Sequence, residues 1–272
     1  MPFTVSHVAV ILPVQRVLRR WQLLSAAVIG TMVPDFGLVL PLSLDRSQTH
    51  GFSALFSFCL PVGLLAWWLF QLLIKPAVVE IMPDRWYLRL TRQHPPLSIM
   101  SLRNWFAGML AILLGAISHL VLDGFTHEHG RGTLLIPGLD NYMVSVAGHP
   151  MLLYHLLQYL FSIVGLLLVL WALGRWVRAT PRFTGQLQRH LAPGERRRWA
   201  LGYLILPLLV LLLTGMRELR VAQMFGPQIF LSSRSVAHLL IQCMEATSAS
   251  LIIVSALIRM RLSEYDDEQS RS

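Results

Sequence analysis

Five stretches of this chain, residues 52–74, 105–122, 153–174, 199–216 and 236–258, run close to the length of a membrane span with hardly a charge among them. Crossing the hydrocarbon core of a bilayer takes about 20 mostly apolar residues. A sixth stretch, 22–42, is long enough but carries Pro34 and Asp35 near its end. Lipid offers no partner to a backbone N–H or C=O, so a spanning chain must be helical or a closed barrel. No stretch alternates with the period of two that a strand needs. The chain is therefore expected to be all-α: a polytopic transmembrane helix bundle of about five full spans, with an N-terminal helical hairpin or sixth span. Only 14% of residues are charged and 54% are hydrophobic, against roughly 25% charged in soluble domains. Residues 1–261 read as a single integral membrane domain and 262–272 as a polar tail. Arg16, Arg19 and Arg20 precede the first long run, which lacks a small-residue cleavage site, so no cleavable secretory signal is expected.

Charge orients the bundle. Of the 23 Lys and Arg, 18 fall in the N-terminal segment, 75–104, 175–198 and 259–272. Short loops rich in Lys and Arg stay in the cytoplasm, which predicts a cytoplasmic C-terminus and an outward loop 124–150. The net charge of +9 then reflects topology. The basic residues are scattered over several loops, so no nucleic-acid partner is expected.

Against this background, His7, Asp35, His50, His119 and Asp123 are out of place. Ionisable residues in apolar membrane segments are costly and mark functional sites by default, and His with Asp is a ligand set that suits zinc. His119 and Asp123 stand four apart, on one face of a helix. The other reading of that pair is a hydrogen bond by which Asp123 orients His119. Proline ends helices and Asp caps them, so Pro34-Asp35 also has a purely structural reading. His50 and His7 could be ordinary interfacial histidines, and His127 and His129 read as loop residues. The predicted topology carries Asp35, His50, His119 and Asp123 to one membrane level. His7 joins them if 5–18 and 22–35 form a helical hairpin turning at Arg19–Trp21, with arms of about 14 residues, or ~20 Å.

The order Pro2-Phe3-Thr4-Val5-Ser6-His7, Pro34-Asp35, Arg46 with His50, and His119-x-x-x-Asp123 resembles a bacterial inner-membrane family opening with PFTxSH. That family is related to proteins described as membrane-bound metal-dependent hydrolases. The group is similar in its His and Asp pattern to the zinc-dependent phospholipase C fold. The resemblance covers most of the chain, with its sharp motifs in 1–125. It implies a metal site built from His7, Asp35, His50, His119 and Asp123. This chain departs from the wider pattern twice. Phe36-Gly37 follows Asp35 where a second Asp often stands two residues on, and His50 is followed by Gly51 where that pattern has Ser. Both departures reduce the ligands available for a centre of two or three metals.

The remaining polar residues have plainer roles open to them. Arg46 and Arg131 could hold a phosphate bidentately or serve topology alone. Glu245 is expected to pair with Arg217 or Arg220, with a proton or substrate role as the other reading. His155 and Gln158 read as supporting groups or interhelical hydrogen-bond partners. Trp67-Trp68 and Trp199 read as the interfacial aromatic belt, and Cys59 and Cys243 as small buried residues. P-loop, dinucleotide, GxSxG and HExxH motifs are absent from the sequence, so nucleotide hydrolysis, dinucleotide chemistry and zincin-type proteolysis lack support. The expected function is metal-dependent hydrolysis of a phosphoester or related bond in a lipid-linked substrate, a phospholipid or polyprenyl phosphate, at the outer face of the inner membrane. The ion expected is divalent, zinc first, with manganese or iron open. The alternative is a non-catalytic transporter or a scaffold with a structural metal.

Overall fold

The computed structural model describes residues 4–40, 44–90, 101–128, 130–136, 138–146, 149–181, 189–226 and 233–271. Pro2 and Phe3 of the opening motif, His94 and His129 lie outside them. A 3-10 helix over Thr4–Val14 runs into α1 (Gln15–Arg20), then α2 (Leu24–Met32), which tightens into a 3-10 turn over Val33–Leu38. The short α3 (Arg46–His50) follows. The helical stretch Leu55–Ile81 comprises α4 (Leu60–Leu69) and α5 (Lys75–Ile81) with π turns at Leu55–Cys59 and Phe70–Ile74. After α6 (Asp84–Leu90) come α7 (Leu102–Thr126), α8 (Arg131–Leu135), β1 (Met143–Val146), β2 (His149–Leu152), α9 (Leu153–Ala179), α10 (Pro193–Phe225) and α11 (Ser233–Arg271).

Five helical segments are long and apolar enough to cross a membrane: Leu55–Ile81, Leu102–Thr126, Leu153–Ala179, Pro193–Met224 and His238–Tyr265. The shorter Leu24–Leu38 is the second arm of the N-terminal hairpin. The chain is therefore an all-helical, multi-pass membrane protein. Most spans outrun their apolar windows, because hydropathy marks the lipid-immersed part while the helix continues into the interface. Residues 262–271 are the end of α11. Strands are nearly absent among the described residues: β1 and β2 pair antiparallel, Met143 opposite Leu152, and four residues each are too few for alternation to be read.

The chain groups into two compact units. The first comprises Met1–Gly37, Ser43–Trp67 and Pro96–Pro181. Its hairpin reverses at Gln22, whose φ of 58° lies in the left-handed region. The Leu23 N–H donates back to Leu18 O at 2.7 Å. The second arm packs on α7 largely through small residues: Ala26, Ala27, Gly30 and Thr31 face Ala111, Gly115, Ala116 and the larger Ile112, all buried. A Cβ on Gly115 would stand 2.6 Å from Ala27 O and 2.7 Å from Thr31 N. Small residues are what let membrane helices approach this closely. The first arm lies on α9 in the same way, where a Cβ on Gly165 would stand 2.7 Å from Ser6 O. Trp67, expected in an aromatic belt, is a core residue, 2% exposed. Its indole N–H donates to Ser25 Oγ at 3.1 Å, and Gly108 leaves room for its ring. The adjacent Trp68 is exposed.

The second unit comprises Leu38–Leu42, Trp68–Pro95 and Arg182–Ser272. Ala77, Leu191, Val254, Ile258 and Leu262 form its core. Buried Glu80 accepts the backbone N–H groups of His190 and Leu191 at 3.1 and 3.2 Å. Arg189 donates to the carbonyls of Glu80 and Met82 at 2.9 Å each. Glu245 corrects an expectation: it accepts from Gln242 at 2.9 Å, within its own helix. A residue three positions away lies one turn off on the same face, closer than either arginine of α10. His238 of α11 pairs instead with Glu218 of α10 at 3.1 Å. Both cysteines are free.

Candidate metal centre

Four separate pieces of the first unit supply the centre. On α7, the buried stripe that packs on α2 continues through Gly115 and Ala116 to His119 and then Asp123. Leu110, Leu114, Ile117 and Val121 form the exposed face of the same helix. Helical period alone thus turns both ionisable residues inward. Close packing with α2 carries Asp35 toward them, one turn beyond Met32. Pro34 does not break the arm; it sits where the α winding tightens to 3-10. Asp35 caps no following helix. It accepts from the Thr4 hydroxyl at 2.8 Å, which ties the two open ends of the hairpin together. His7 lies one 3-10 turn past Thr4 and is 2% exposed. Helix α3 opens on a Gln48 side chain that accepts the Asp45 N–H at 2.9 Å and delivers His50 at its last position.

The side chains converge on one point. Asp35 Oδ1 is 3.4 Å from His50 Nε2 and 3.7 Å from His119 Nε2. Asp123 Oδ2 is 3.5 Å from both of those nitrogens, and Asp123 Oδ1 is 3.5 Å from His7 Nε2. These separations are too long for charge-assisted hydrogen bonds, which run about 2.7–2.9 Å. Two ligands of one tetrahedral zinc, each about 2.0–2.1 Å from the ion, stand about 3.4 Å apart. His7 Nε2, His50 Nε2, His119 Nε2 and Asp123 Oδ1 are buried without a hydrogen-bond partner. Such orphaned atoms are rare in folded proteins and call for a reason.

Surrounding groups set the protonation states. His119 Nδ1 lies 2.8 Å from Thr31 O. A carbonyl only accepts, so Nδ1 carries the proton and Nε2 keeps its lone pair. His50 Nδ1 lies 2.8 Å from Thr49 Oγ1, whose hydroxyl donates to Arg46 O at 3.3 Å. That chain again leaves Nε2 free. A histidine that ligates a metal is held in this way through its other nitrogen. His7 and His119 stack with centroids 3.9 Å apart and planes 17° apart, an arrangement suited to neutral rings. Each carboxylate also divides its oxygens. Asp35 gives Oδ2 to Thr4 and Oδ1 to the centre. Asp123 Oδ2 accepts from Arg46 Nη2 at 2.6 Å while Oδ1 has no donor. Of the two buried carboxylates, only Asp123 thus meets a guanidinium. Buried charge is costly unless paired, and a divalent cation would complete the balance.

Two triads satisfy the spacing of a metal site: His7 with His119 and Asp123, and Asp35 with His50 and His119. The donor set fits a divalent ion. His119 belongs to both triads and has one free lone pair, so it serves one ion at a time. A family model matches residues 1–257. The chain belongs to the DUF4184 family, a domain of unknown function. No curated protein and no solved structure matches it.

All five candidate ligands of this DUF4184 chain are therefore brought together. The two arginines differ in place. Arg46 is bonded to Asp123, with its side chain 44% exposed. Arg131 is exposed at the start of α8, and no hydrogen bond or ion pair joins it to the centre among the described residues. His155 lies against Tyr154, ring centroids 4.4 Å apart, and belongs to neither triad. His127, read as a loop residue, sits at the edge of the site. Its Nδ1 is 3.2 Å from Asp123 O and 3.6 Å from Asp123 Oδ1. Burial holds this imidazole below its ordinary pKa, and Arg46 lowers it further against the opposing pull of Asp123, so it is neutral at pH 7. The spacing 119, 123, 127 carried that signal in the sequence. Thr4 and Thr31, the partners of Asp35 and His119, carried none.

Proposed function

We propose that this DUF4184 chain is a metal-dependent hydrolase of a bacterial inner membrane. It acts at the outer face on a phosphoester or related bond of a lipid-linked substrate, and zinc is the preferred ion. One observation carries the reading: the Nε2 atoms of His7, His50 and His119 and Oδ1 of Asp123, from three chain segments, are buried together without a hydrogen-bond partner, and Asp35 from a fourth stands beside them. Zinc is favoured by three imidazoles, two carboxylates and separations suited to a tetrahedral ion. The resemblance in the His and Asp pattern supplies the reaction class. The bias of Lys and Arg toward the N-terminal segment, 75–104, 175–198 and 259–272 supports the outward placement.

In this reading His119 would hold the ion together with donors drawn from His50, Asp35, Asp123 and His7, with Thr31, Thr49 and Thr4 fixing their orientation. A bound divalent ion supplies Lewis-acid polarisation of a phosphoryl oxygen and acidifies water. Arg46 keeps Asp123 in place, and its exposed part can face a phosphate. His127, neutral and beside Asp123, can accept a proton at its unpartnered Nε2.

The depth of burial favours a second reading. Structural zinc is closed by four protein ligands, whereas a catalytic ion keeps a position open. Five buried donors are enough to close it, which would make the chain a scaffold. The test is turnover in proteoliposomes loaded with zinc, manganese or iron, with phospholipids and polyprenyl phosphates as substrates. Metal-dependent product release, lost in His119→Ala, supports the hydrolase. A folded protein carrying stoichiometric metal that turns over none of them contradicts it and leaves the structural ion.

A further inference from the structure

The connection between α7 and α9 exposes apolar side chains that no function so far uses. Leu134 and Leu135 of α8, Ile136 just after it, Tyr142 just before β1 and Met143 at its start are all solvent-exposed, Leu135 at 77%. Their neighbours on α8 are the reverse. Gly132 and Thr133 are buried, Gly132 against the Phe125 ring. The short helix is thus one-sided, with one face on the protein and an apolar face without a partner.

Both ends of this connection are tied to spans. On the α7 side, Gly130 donates to His127 O at 3.1 Å, and the Thr133 hydroxyl donates to Gly130 O at 2.8 Å. On the α9 side, Leu153 donates to Tyr142 O at 3.0 Å and Tyr154 to Leu139 O at 3.2 Å. Turn bonds from Leu139 to Ile136 O and from Tyr142 to Gly138 O keep the piece between them folded on itself. Helix α7 has 25 residues, or ~37 Å at 1.5 Å per residue, against a hydrocarbon core of about 30 Å. Its end at Thr126 therefore reaches the headgroup layer, and α8 begins five residues later.

We propose that α8 and the start of β1 form an interfacial element resting in the leaflet on the side of the metal centre. Leu134, Leu135, Ile136 and Met143 enter the acyl boundary, and Tyr142 lies at headgroup depth. The occupant of this face is the bilayer itself, because the bonds to α7 and α9 hold the face at the membrane boundary. An apolar face with a cation at its edge is the pattern of helices that lie in the interface. Arg131, exposed at the first position of α8, is placed to meet a lipid phosphate. The inference needs only that α7 and α9 span, and does not depend on the metal reading.

The test places a nitroxide at Leu135→Cys and, separately, at Met143→Cys, in full-length protein with Cys59 and Cys243 replaced by Ala, in lipid nanodiscs. Accessibility to oxygen and to a water-soluble nickel chelate is then read by electron paramagnetic resonance. Val121→Cys, on the lipid face of α7, is the reference. The proposal expects both labels to favour oxygen over the chelate several-fold, as at position 121. Labels that favour the chelate mean a loop standing in water and overturn it. Labels shielded from both reagents mean a protein partner or a second copy on this face, and overturn it equally.

Discussion

Arg46 donates to Asp123 Oδ2 at 2.6 Å across a separation of 77 positions. The same carboxylate stands 3.5 Å from His7, His50 and His119. The guanidinium therefore balances one of two buried carboxylates, and the rest of the negative charge is left for an ion. Removing one partner of a buried ion pair costs about 3–5 kcal/mol. The Arg46 side chain is 44% exposed, and solvent screening reduces this to about 1–2 kcal/mol. Arg46→Met should lower the melting temperature of metal-free protein. The gain in melting temperature on adding zinc should be larger than in the parent, because the ion then faces the unbalanced carboxylate. Equal gains measured by thermal denaturation in detergent would argue against this division of charge.

The α2–α7 contact sets the distance between Asp35 and His119. Gly115→Val should destabilise by about 1–3 kcal/mol, the usual cost of overpacking, since its Cβ meets the backbone at Ala27 and Thr31. It should weaken metal retention as well, by moving the two helices apart. Gly215→Ala, where a Cβ meets nothing within 4 Å, should be neutral or stabilising by about 0.5–1 kcal/mol, since Ala suits a helix interior better than Gly. Denaturation and metal content of the two variants, measured together, decide the point.

Acid should release the ion. Imidazole ligands bind only when unprotonated, so binding releases protons and affinity falls as pH falls. The sign follows: metal-dependent stability is present at neutral pH and is lost on acidification through the ordinary histidine range near 6.5. The melting temperature of zinc-loaded protein should converge on that of chelator-treated protein by about pH 5. A difference that persists unchanged to that pH would mean that the histidines do not hold the ion.

Much of this architecture could be read in advance because the bilayer fixes the length of a span. The windows 105–122 and 153–174 fall inside α7 and α9. The hairpin was legible from one requirement, that His7 reach Asp35, and the Thr4 bond to Asp35 now closes it. Other features depend on tertiary partners that no local pattern reveals. Trp67 looks like its neighbour Trp68 until Gly108 opens a slot for its ring. Thr31 and Thr4 are ordinary until their oxygens meet His119 and Asp35. Glu245 had two arginines to choose from, yet bonds Gln242 one turn away. His127 is a loop residue as expected, just past α7 and in neither triad, yet its position four after Asp123 brings its ring beside that carboxylate.

The central claim is that the buried His and Asp groups hold an ion. Metal content by mass spectrometry on detergent-purified protein tests it most directly, with His119→Ala and Asp123→Ala beside the parent and His238→Ala as a control in the second unit. The account predicts about one divalent ion per chain in the parent and in His238→Ala after growth with zinc, and strong loss in both ligand variants. Parent protein that stays metal-free after supply of zinc, manganese and iron would contradict the account, as would stoichiometric metal in both ligand variants.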